Sequence, residues 1–259
     1  MDRKNDYIAV FDSGVGGISV LRQLMALMPE ERYLYFGDSA NAPYGIRPED
    51  EVRQLALQAA AGLKQYNIKA LVVACNTATA AAVELLRQTY PNRIIIGIEP
   101  AVKLAADRFP GGTIGVMGTP VTMESHRIQE LINRHKGSCR FISLPAPGLA
   151  DLVEAGKAIS EESEALLRPL LEPYFGKLDA IVLGCTHYPF AAPVIQKLAG
   201  PDTVLLDGGE GTARETKRRL QNAGLLGNGP GELVIQNSTE DPAIIRLCYE
   251  LLAQDGIIE

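Results

Sequence analysis

The sequence lacks the long apolar runs that membrane insertion and secretion require. No stretch of about 18 consecutive apolar residues occurs, so a transmembrane helix is not expected. Residues 1–6 are polar and lead directly into an apolar strand, without the apolar core of a signal peptide. These absences predict a cytoplasmic protein.

Basic residues are also in deficit. The 259 residues include 25 lysines and arginines against 31 acidic residues, which gives a formal net charge of −6. Because no basic tract offsets this charge, we expect neither nucleic acid nor an anionic membrane as the main partner. The hydrophobic share of 46% and the charged share of 22% are ordinary for a globular chain of one large domain or two modest ones.

Cysteine and histidine are scarce and are never grouped at the spacing of a metal site. The four cysteines form no CxxC pair, and the three histidines do not fall at zinc-binding intervals. Disulfides are not expected in a reducing compartment. The sequence therefore predicts no metal site, and it leaves four thiols to be explained.

Three motifs of nucleotide and hydrolase chemistry are missing as well. The glycines at 14, 16 and 17 do not continue as the dinucleotide fingerprint G-x-G-x-x-G, and no P-loop sequence is present. No G-x-S-x-G nucleophile elbow occurs either. The sequence thus gives little support for nucleotide binding.

What the sequence does contain is an alternation of short apolar strands and amphipathic helices. Helical periods are predicted over 18–28, 49–66 and 78–90. The predicted strands are 8–11, 32–36, 71–74, 94–98, 114–117, 140–144, 181–183 and 204–206. Strands that are apolar at nearly every position indicate mostly parallel sheets covered by helices on both faces, so the predicted fold class is α/β.

An internal repeat is visible in this alternation. Residues 70–77 (ALVVACNT) align with residues 180–187 (AIVLGCTH), and residues 8–13 (IAVFDS) resemble residues 114–119 (IGVMGT) in the same order. Two ordered matches favour two pseudosymmetric α/β halves. A ligand would then bind in the cleft between them, at the carboxyl ends of the strands.

Two of the four cysteines occupy equivalent places in this repeat. Cys75 and Cys185 each follow an apolar strand and are expected to precede a helix, whose N-terminus lowers the pKa of a thiol. A single such cysteine would be interpreted as a small buried hydrophobe, but two at matching positions favour a functional role. Cys139 and Cys248 lack this setting and are interpreted as structural.

Two thiols on opposite walls of one cleft suit a reaction that inverts a carbon centre. Such a reaction needs a base on one face and an acid on the other, with the roles exchanged in reverse, and two like residues meet that need. A disulfide oxidoreductase would place the sulfurs together. A cysteine hydrolase would need one cysteine with a histidine and an orienting group.

Polar residues near the two cysteines are candidates for the same site. His187 lies two residues after Cys185 and is a possible proton partner, or simply a hydrogen-bonded loop histidine. Asp12 ends the first strand and is predicted to hold an ammonium group, to orient Cys75 or to cap a helix. Short polar side chains at the strand-to-helix turns are expected to cap helices or to bind a carboxylate with nearby amides: Ser13, Asn76, Thr77, Thr119, Thr122 and Thr186.

Four blocks in chain order resemble the glutamate racemases of the aspartate/glutamate racemase family. They are residues 11–17 (FDSGVGG), 42–45 (APYG), 74–78 (ACNTA) and 183–189 (LGCTHYP), and the resemblance covers nearly the whole chain. It implies cofactor-independent interconversion of L- and D-glutamate, which supplies D-glutamate for peptidoglycan. It also implies two pseudosymmetric domains with the active site between them, one formed by residues 1–98 plus 207–259 and the other by 99–206.

The resemblance also implies roles for individual residues. Cys75 resembles the base that acts on D-glutamate and Cys185 the base that acts on L-glutamate, with Asp12 and His187 as their assisting groups. Glu154 matches an acidic residue that the family places near the site. The substrate contacts implied are Asp12, Ser13, Pro43, Tyr44, Gly45, Asn76, Thr77, Thr119, Thr122, Thr186 and His187.

Cofactor and assembly are implied in the same way. The four blocks contain no lysine for a Schiff base, so pyridoxal phosphate is not suggested and no cofactor is expected. They contain no arginine either, so neutral donors are expected to bind the two carboxylates of glutamate. A homodimer is expected. Because only seven residues precede Ile8, no cell-wall precursor is expected to be needed as activator.

Three other functions stay open at this point. A related racemase for aspartate would differ only in the pocket residues that reach the side-chain carboxylate. A binding module would have kept the fold without the chemistry, which the presence of both cysteines disfavours. A thiol-dependent hydrolase would need only one of them and would release a new product.

Overall fold

The chain folds around two separate parallel β-sheets, each covered by helices on both faces. The structure is a computed structural model that describes residues 3–254. It confirms the predicted α/β class with two pseudosymmetric halves. Among the described residues, no helix is long and apolar enough to cross a membrane.

The first sheet has five parallel strands in the order β4-β3-β1-β2-β9. These strands are β1 (Tyr7–Asp12), β2 (Arg32–Gly37), β3 (Ile68–Val73), β4 (Ile94–Gly97) and β9 (Glu232–Asn237). The second sheet has four parallel strands in the order β6-β5-β7-β8. These strands are β5 (Thr113–Gly118), β6 (Arg140–Pro145), β7 (Ala180–Leu183) and β8 (Val204–Asp207).

Eleven α-helices among the described residues connect and cover the strands. Those around the first sheet are α1 (Ile18–Leu27), α2 (Glu49–Gly62), α3 (Asn76–Thr89), α10 (Gly209–Asn222) and α11 (Pro242–Ala253). Those around the second sheet are α4 (Val102–Arg108), α5 (Pro120–Glu124), α6 (His126–His135), α7 (Leu149–Glu154), α8 (Glu161–Leu171) and α9 (Ala192–Ala199). We call each sheet with its helices the first half and the second half.

The strands are apolar at consecutive positions because both faces of each sheet are buried. In β1, Ile8 and Val10 pack toward α1, α10 and α11. Ala9 and Phe11 point to the opposite face, against α2 and α3. The second sheet is divided in the same way between two core layers. Full burial of alternate residues on both faces is what makes a parallel strand continuously hydrophobic.

The strand orders show that the internal repeat is structural. Strands β4, β3, β1 and β2 match β8, β7, β5 and β6 in order and direction, so the aligned segments occupy equivalent strands. The fifth strand of the first sheet, β9, has no counterpart in the second sheet and was not predicted. Four of its six residues are only partly buried, and the sequence carries only a short apolar run there.

The strand order also fixes where a ligand can bind. In the first sheet β2 lies on one side of β1 and β3 on the other, and in the second sheet β6 and β7 lie on the two sides of β5. This reversal of the strand order opens a crevice at the carboxyl ends of β1 and β3, and likewise of β5 and β7. The residues that end these strands face each other across the two halves. The expected location of the site between the halves follows from this topology.

The chain passes between the halves twice, after β4 and after β8. A Cβ atom placed on Gly208 would lie 2.1 Å from the carbonyl oxygen of Glu99, so the two crossings touch where only glycine fits. The domain bounds near 98 and 207 remain a prediction. Of the predicted ranges, residues 1–2 and 255–259 lie outside the described residues.

Candidate active site

A small cavity between the two halves contains nearly all of the predicted site residues. Its volume is about 20 Å³, which is room for one water molecule and far less than an amino acid needs. Eight residues from each half line it: Ser13, Ala42, Pro43, Tyr44, Gly45, Cys75, Asn76 and Thr77, and Thr119, Thr122, Ala150, Glu154, Gly184, Cys185, Thr186 and His187. The two halves therefore lie close together over the site in this structure.

Cys75 forms part of the first wall. It is the N-cap of α3, where its sulfur accepts a hydrogen bond from the Ala78 N–H at 3.4 Å. Its Sγ–H lies 3.5 Å from the Ser13 hydroxyl oxygen, in position to donate to it. Burial, together with the nearby negative charge of Asp12, raises the pKa of Cys75 to about 12. The predicted lowering of this pKa by the helix N-terminus is wrong, because the loss of hydration outweighs the dipole.

Cys185 forms part of the opposite wall but has a different local structure. It follows β7 directly, and a turn and a 3₁₀ segment (Tyr188–Ala191) separate it from α9, which begins at Ala192. The predicted helix start at Cys185 is therefore wrong by several residues. Instead of a helix N-terminus, Cys185 has an imidazole beside it: its sulfur lies 3.7 Å from Nδ1 of His187.

His187 forms a hydrogen-bonded pair with Glu154. The imidazole Nε2 lies 2.6 Å from Oε1 of Glu154, and both side chains are largely buried. Burial alone would lower the pKa of His187, but its hydrogen bonds to Cys185 and Glu154 outweigh burial and raise that pKa well above its ordinary value. Burial of Glu154 is likewise outweighed, chiefly by His187, so the pKa of Glu154 is lowered. The pair is therefore an imidazolium and a carboxylate at neutral pH.

Asp12 lies behind the wall and does not line the cavity. Its Oδ1 accepts a hydrogen bond from the Gly14 N–H at 2.9 Å, and its Oδ2 accepts one from the Thr186 hydroxyl at 2.9 Å. Burial raises the pKa of Asp12 above its ordinary value. Rather than capping a helix, Asp12 links the loop after β1 to the turn that carries Cys185, because α1 begins only after Gly17.

Three hydroxyl groups from the two halves meet at one end of the cavity. The Thr77 hydroxyl lies 3.1 Å from that of Thr122 and 3.4 Å from that of Thr119, while Thr119 also caps α5. Thr119 and Thr122 therefore line the cavity beside Thr77, and their contact with a substrate stays a prediction. The amide oxygen of Asn76 is buried and accepts no hydrogen bond from any described residue.

The loop with Tyr44 and Gly45 lines the cavity and lies against Thr119. The Tyr44 hydroxyl donates to Asp38 at 2.6 Å, so it is already engaged away from the cavity. A Cβ atom on Gly45 would lie 2.6 Å from Cβ of Thr119, which shows how closely the two walls approach here.

The lining contains neither arginine nor lysine, as the sequence predicts for the four blocks. A carboxylate in the cavity would meet hydroxyls and the free N–H groups at the start of α3, which attract anions. Within residues 3–254, no cluster of three or more histidine, cysteine, aspartate and glutamate residues is arranged to hold a metal ion.

The glycine-rich loop after β1 has a role that its motif did not reveal. A Cβ atom on Gly14 would lie 1.8 Å from Oε1 of Glu154, and one on Gly16 would lie 2.3 Å from Nδ1 of His187. Both glycines therefore make room for the pair from the second half. From the sequence, these glycines showed a mismatch with the nucleotide fingerprint and a match to one block of the racemase family, but not this contact. The lining residues Ala42, Ala150 and Gly184 were also missed, since small apolar residues carry no chemical signal.

Known proteins resemble this chain over nearly its full length. The family model of the Asp/Glu/hydantoin racemases matches residues 18–216. A glutamate racemase of Clostridium botulinum is 43% identical over 97% of this chain and 99% of its own length. Two solved structures are similar over 96% or more of this chain. One is a glutamate racemase from Francisella tularensis in complex with D-glutamate (TM-score 0.83, 26% identity, 97% of this chain and 95% of that one). The other is the Escherichia coli enzyme in complex with L-glutamate and the activator UDP-MurNAc-Ala (TM-score 0.82, 28% identity, 96% of this chain and 92% of that one).

Proposed function

We propose that this chain, which belongs to the Asp/Glu/hydantoin racemase family, interconverts L- and D-glutamate by proton transfer between two thiols. The observation that carries the proposal is the placement of Cys75 and Cys185 on opposite walls of one closed cavity. A carbon held between them can lose a proton to one sulfur and gain a proton from the other on its opposite face, which inverts its configuration.

The two thiols have different surroundings before substrate binds. Cys75 stays a neutral thiol at neutral pH because its pKa is about 12. The imidazolium of His187 faces the sulfur of Cys185 and is its proton partner in the proposed reaction.

In the conversion of L-glutamate to D-glutamate, each proton has a defined origin and destination. The Cys185 thiolate takes the α-proton of L-glutamate and becomes a thiol, and the electron pair is left on the α-carbon. The Cys75 thiol then protonates the other face, which gives D-glutamate and a Cys75 thiolate. The reverse reaction starts from that second state, so each cysteine is the base for one enantiomer.

Neutral groups are proposed to bind the charges of glutamate. Its carboxylates would accept hydrogen bonds from the hydroxyls of Thr77, Thr119 and Thr122 and from the free N–H groups of α3. Its ammonium group is the natural donor to the buried amide oxygen of Asn76. No step uses a cofactor, since the residues that line the cavity suffice for the proton transfers.

The setting of the activity in the cell is also a proposal. Following the family resemblance, the enzyme would supply D-glutamate for peptidoglycan as a homodimer in the cytoplasm. Light scattering of the purified protein tests the dimer. A mass of one chain, 27.9 kDa, at working concentration would contradict it.

Circular dichroism of purified protein with each amino acid tests the activity. We expect the signal of L-glutamate and of D-glutamate to decay to zero without added cofactor, while L-aspartate keeps its signal. Decay with aspartate alone would identify an aspartate racemase. A new product in chromatography would identify a hydrolase, and an unchanged signal with both amino acids would contradict racemisation.

A further inference from the structure

Glu154 belongs to the second half, but residues of the first half hold its carboxylate. Its Oε1 accepts a hydrogen bond from the Val15 N–H at 2.7 Å, in addition to its contact with His187. Its Oε2 accepts a hydrogen bond from the Ser39 hydroxyl at 3.3 Å. Both oxygens of the carboxylate are therefore fixed across the boundary between the halves.

Ser39 is held in turn by Asn237, the last residue of β9. The Asn237 Nδ2 donates to the Ser39 hydroxyl oxygen at 2.9 Å, and Asn237 is buried. Its Oδ1 accepts hydrogen bonds from the N–H and the hydroxyl of Thr239, at 3.0 and 2.8 Å, so the amide has one favoured orientation. The Ser39 oxygen already accepts a hydrogen bond from Asn237, so the Ser39 hydroxyl donates its own hydrogen bond to Glu154.

The backbone around these contacts is tightly packed. A Cβ atom on Gly37 would lie 2.4 Å from the Gly14 carbonyl oxygen and 2.9 Å from Nδ2 of Asn237. The Tyr35 hydroxyl also donates to that Gly14 oxygen at 2.6 Å. The ends of β1, β2 and β9 thus form one tightly packed support for the Glu154 carboxylate.

We propose that Ser39 and Asn237 are positioning residues for the racemisation: they fix Glu154 so that it holds His187 against Cys185. The inference rests on the proposed function and concerns only the Cys185 side of the cavity. The proposal assigns a role to β9, which has no counterpart in the second sheet among the described residues. It also makes the Cys185 side dependent on closure, because parting of the halves separates Val15 and Ser39 from Glu154.

Two variants and a matched control test the proposal. Ser39→Ala removes the donor to Glu154, and Asn237→Ala frees Ser39 to turn away. Ser238→Ala is the control: among the described residues, its hydroxyl accepts a 2.9 Å hydrogen bond from the Ala40 N–H and forms none with the side chains of Ser39, Asn237 or Glu154. We expect kcat/KM to fall on the order of tenfold for Ser39→Ala and about threefold for Asn237→Ala, with no change for the control.

A double-mutant cycle separates positioning from a general structural effect. If Ser39 and Asn237 act through Glu154, their substitution costs nothing further in a Glu154→Ala background. Equal losses in both backgrounds, or no loss in the wild-type background, would overturn the proposal. Thermal melting of each variant shows whether it is folded, and Ser39→Ala decides the question if Asn237→Ala unfolds.

A second readout needs no turnover. The chain has only three histidines, so the imidazole N–H proton between His187 and Glu154 can be assigned by proton NMR through its loss in Glu154→Ala. We expect this proton to move upfield and to exchange faster in Ser39→Ala and Asn237→Ala, but not in Ser238→Ala. An unchanged resonance in both Ser39→Ala and Asn237→Ala would overturn the proposal. This readout does not depend on which amino acid the enzyme acts on, so it is separate from the test of the proposed function.

Discussion

The two walls of the cavity are built from equivalent segments, yet they give their cysteines different surroundings. Cys75 has a serine hydroxyl and a backbone N–H beside it, and burial keeps it a thiol. Cys185 has an imidazolium beside it, which a carboxylate holds in place. In the aligned repeat, Thr77 and His187 occupy the same position. A threonine hydroxyl on one wall thus corresponds to an imidazole held by Glu154 on the other.

A symmetric reaction can therefore take place in an asymmetric site. The equilibrium between enantiomers is one to one, so kcat/KM must be equal in the two directions whatever the walls contain. The asymmetry can still give the two enantiomers different kcat and KM values, as long as the ratio of kcat to KM stays the same for both. Variants that alter one wall should therefore change kcat/KM equally in both directions. Other measurements are needed to show which wall a variant affects.

Loss of either sulfur should have the largest effect. We expect Cys75→Ser and Cys185→Ser each to lower kcat/KM by about 10²- to 10⁴-fold, because a hydroxyl is a far weaker acid and base than a thiol. Circular dichroism measures this loss. Cys139→Ser is the matched control, since the Cys139 sulfur only donates to backbone carbonyls and does not line the cavity.

The same two variants should separate the walls by hydrogen exchange. In D₂O, Cys75→Ser keeps the base for L-glutamate and should exchange the α-proton of that enantiomer alone, without inversion. Cys185→Ser should exchange only D-glutamate. Proton NMR of recovered substrate measures both, and exchange of the same enantiomer by both variants would contradict the assignment of roles.

A change at Glu154 should have an intermediate effect, confined to the Cys185 wall. Glu154→Gln replaces the carboxylate that raises the pKa of His187 with a neutral amide, so that pKa falls. The imidazolium is then lost at a lower pH, and the basic limb of the pH–rate profile should move to lower pH. We expect a loss of about tenfold to a hundredfold in kcat/KM at neutral pH. An unshifted basic limb would show that His187 does not need Glu154.

The smallest effect is expected at Asp12, which lies behind the wall near Cys75. Its charge adds to burial in raising the pKa of Cys75, so Asp12→Asn should lower that pKa while burial keeps it above the ordinary value. We expect a change in kcat/KM of less than about tenfold, since asparagine can keep the hydrogen bond from Gly14. Ultraviolet titration of the thiolate in a Cys185→Ser background measures the shift. A rise in the pKa would contradict the assigned cause.

Much of this comparison was accessible from the sequence. The apolar runs located eight of the nine strands among the described residues, and the repeat around Cys75 and Cys185 indicated two facing walls. What could not be predicted depends on burial and on packing across the halves. The raised pKa of Cys75 follows from burial that no local pattern encodes, and the role of Gly14 and Gly16 follows from side chains more than a hundred residues away.

Strand β9 and its contacts show the same limit. Its half-buried residues give weak periodicity, and Asn237 matters only because Ser39 and Glu154 converge on it from distant parts of the chain. Local patterns describe the elements of a fold well. They describe poorly the polar contacts that form when the elements meet.

The matching strand orders of the two sheets resemble those of the two like subunits of a dimer, here joined into one polypeptide. In such a dimer every substitution would appear on both sides of the cleft. Fusion removes that restriction, because each copy can then mutate alone. A histidine in one copy, a threonine in the other and a single added strand are the kinds of change that only a fused pair can acquire.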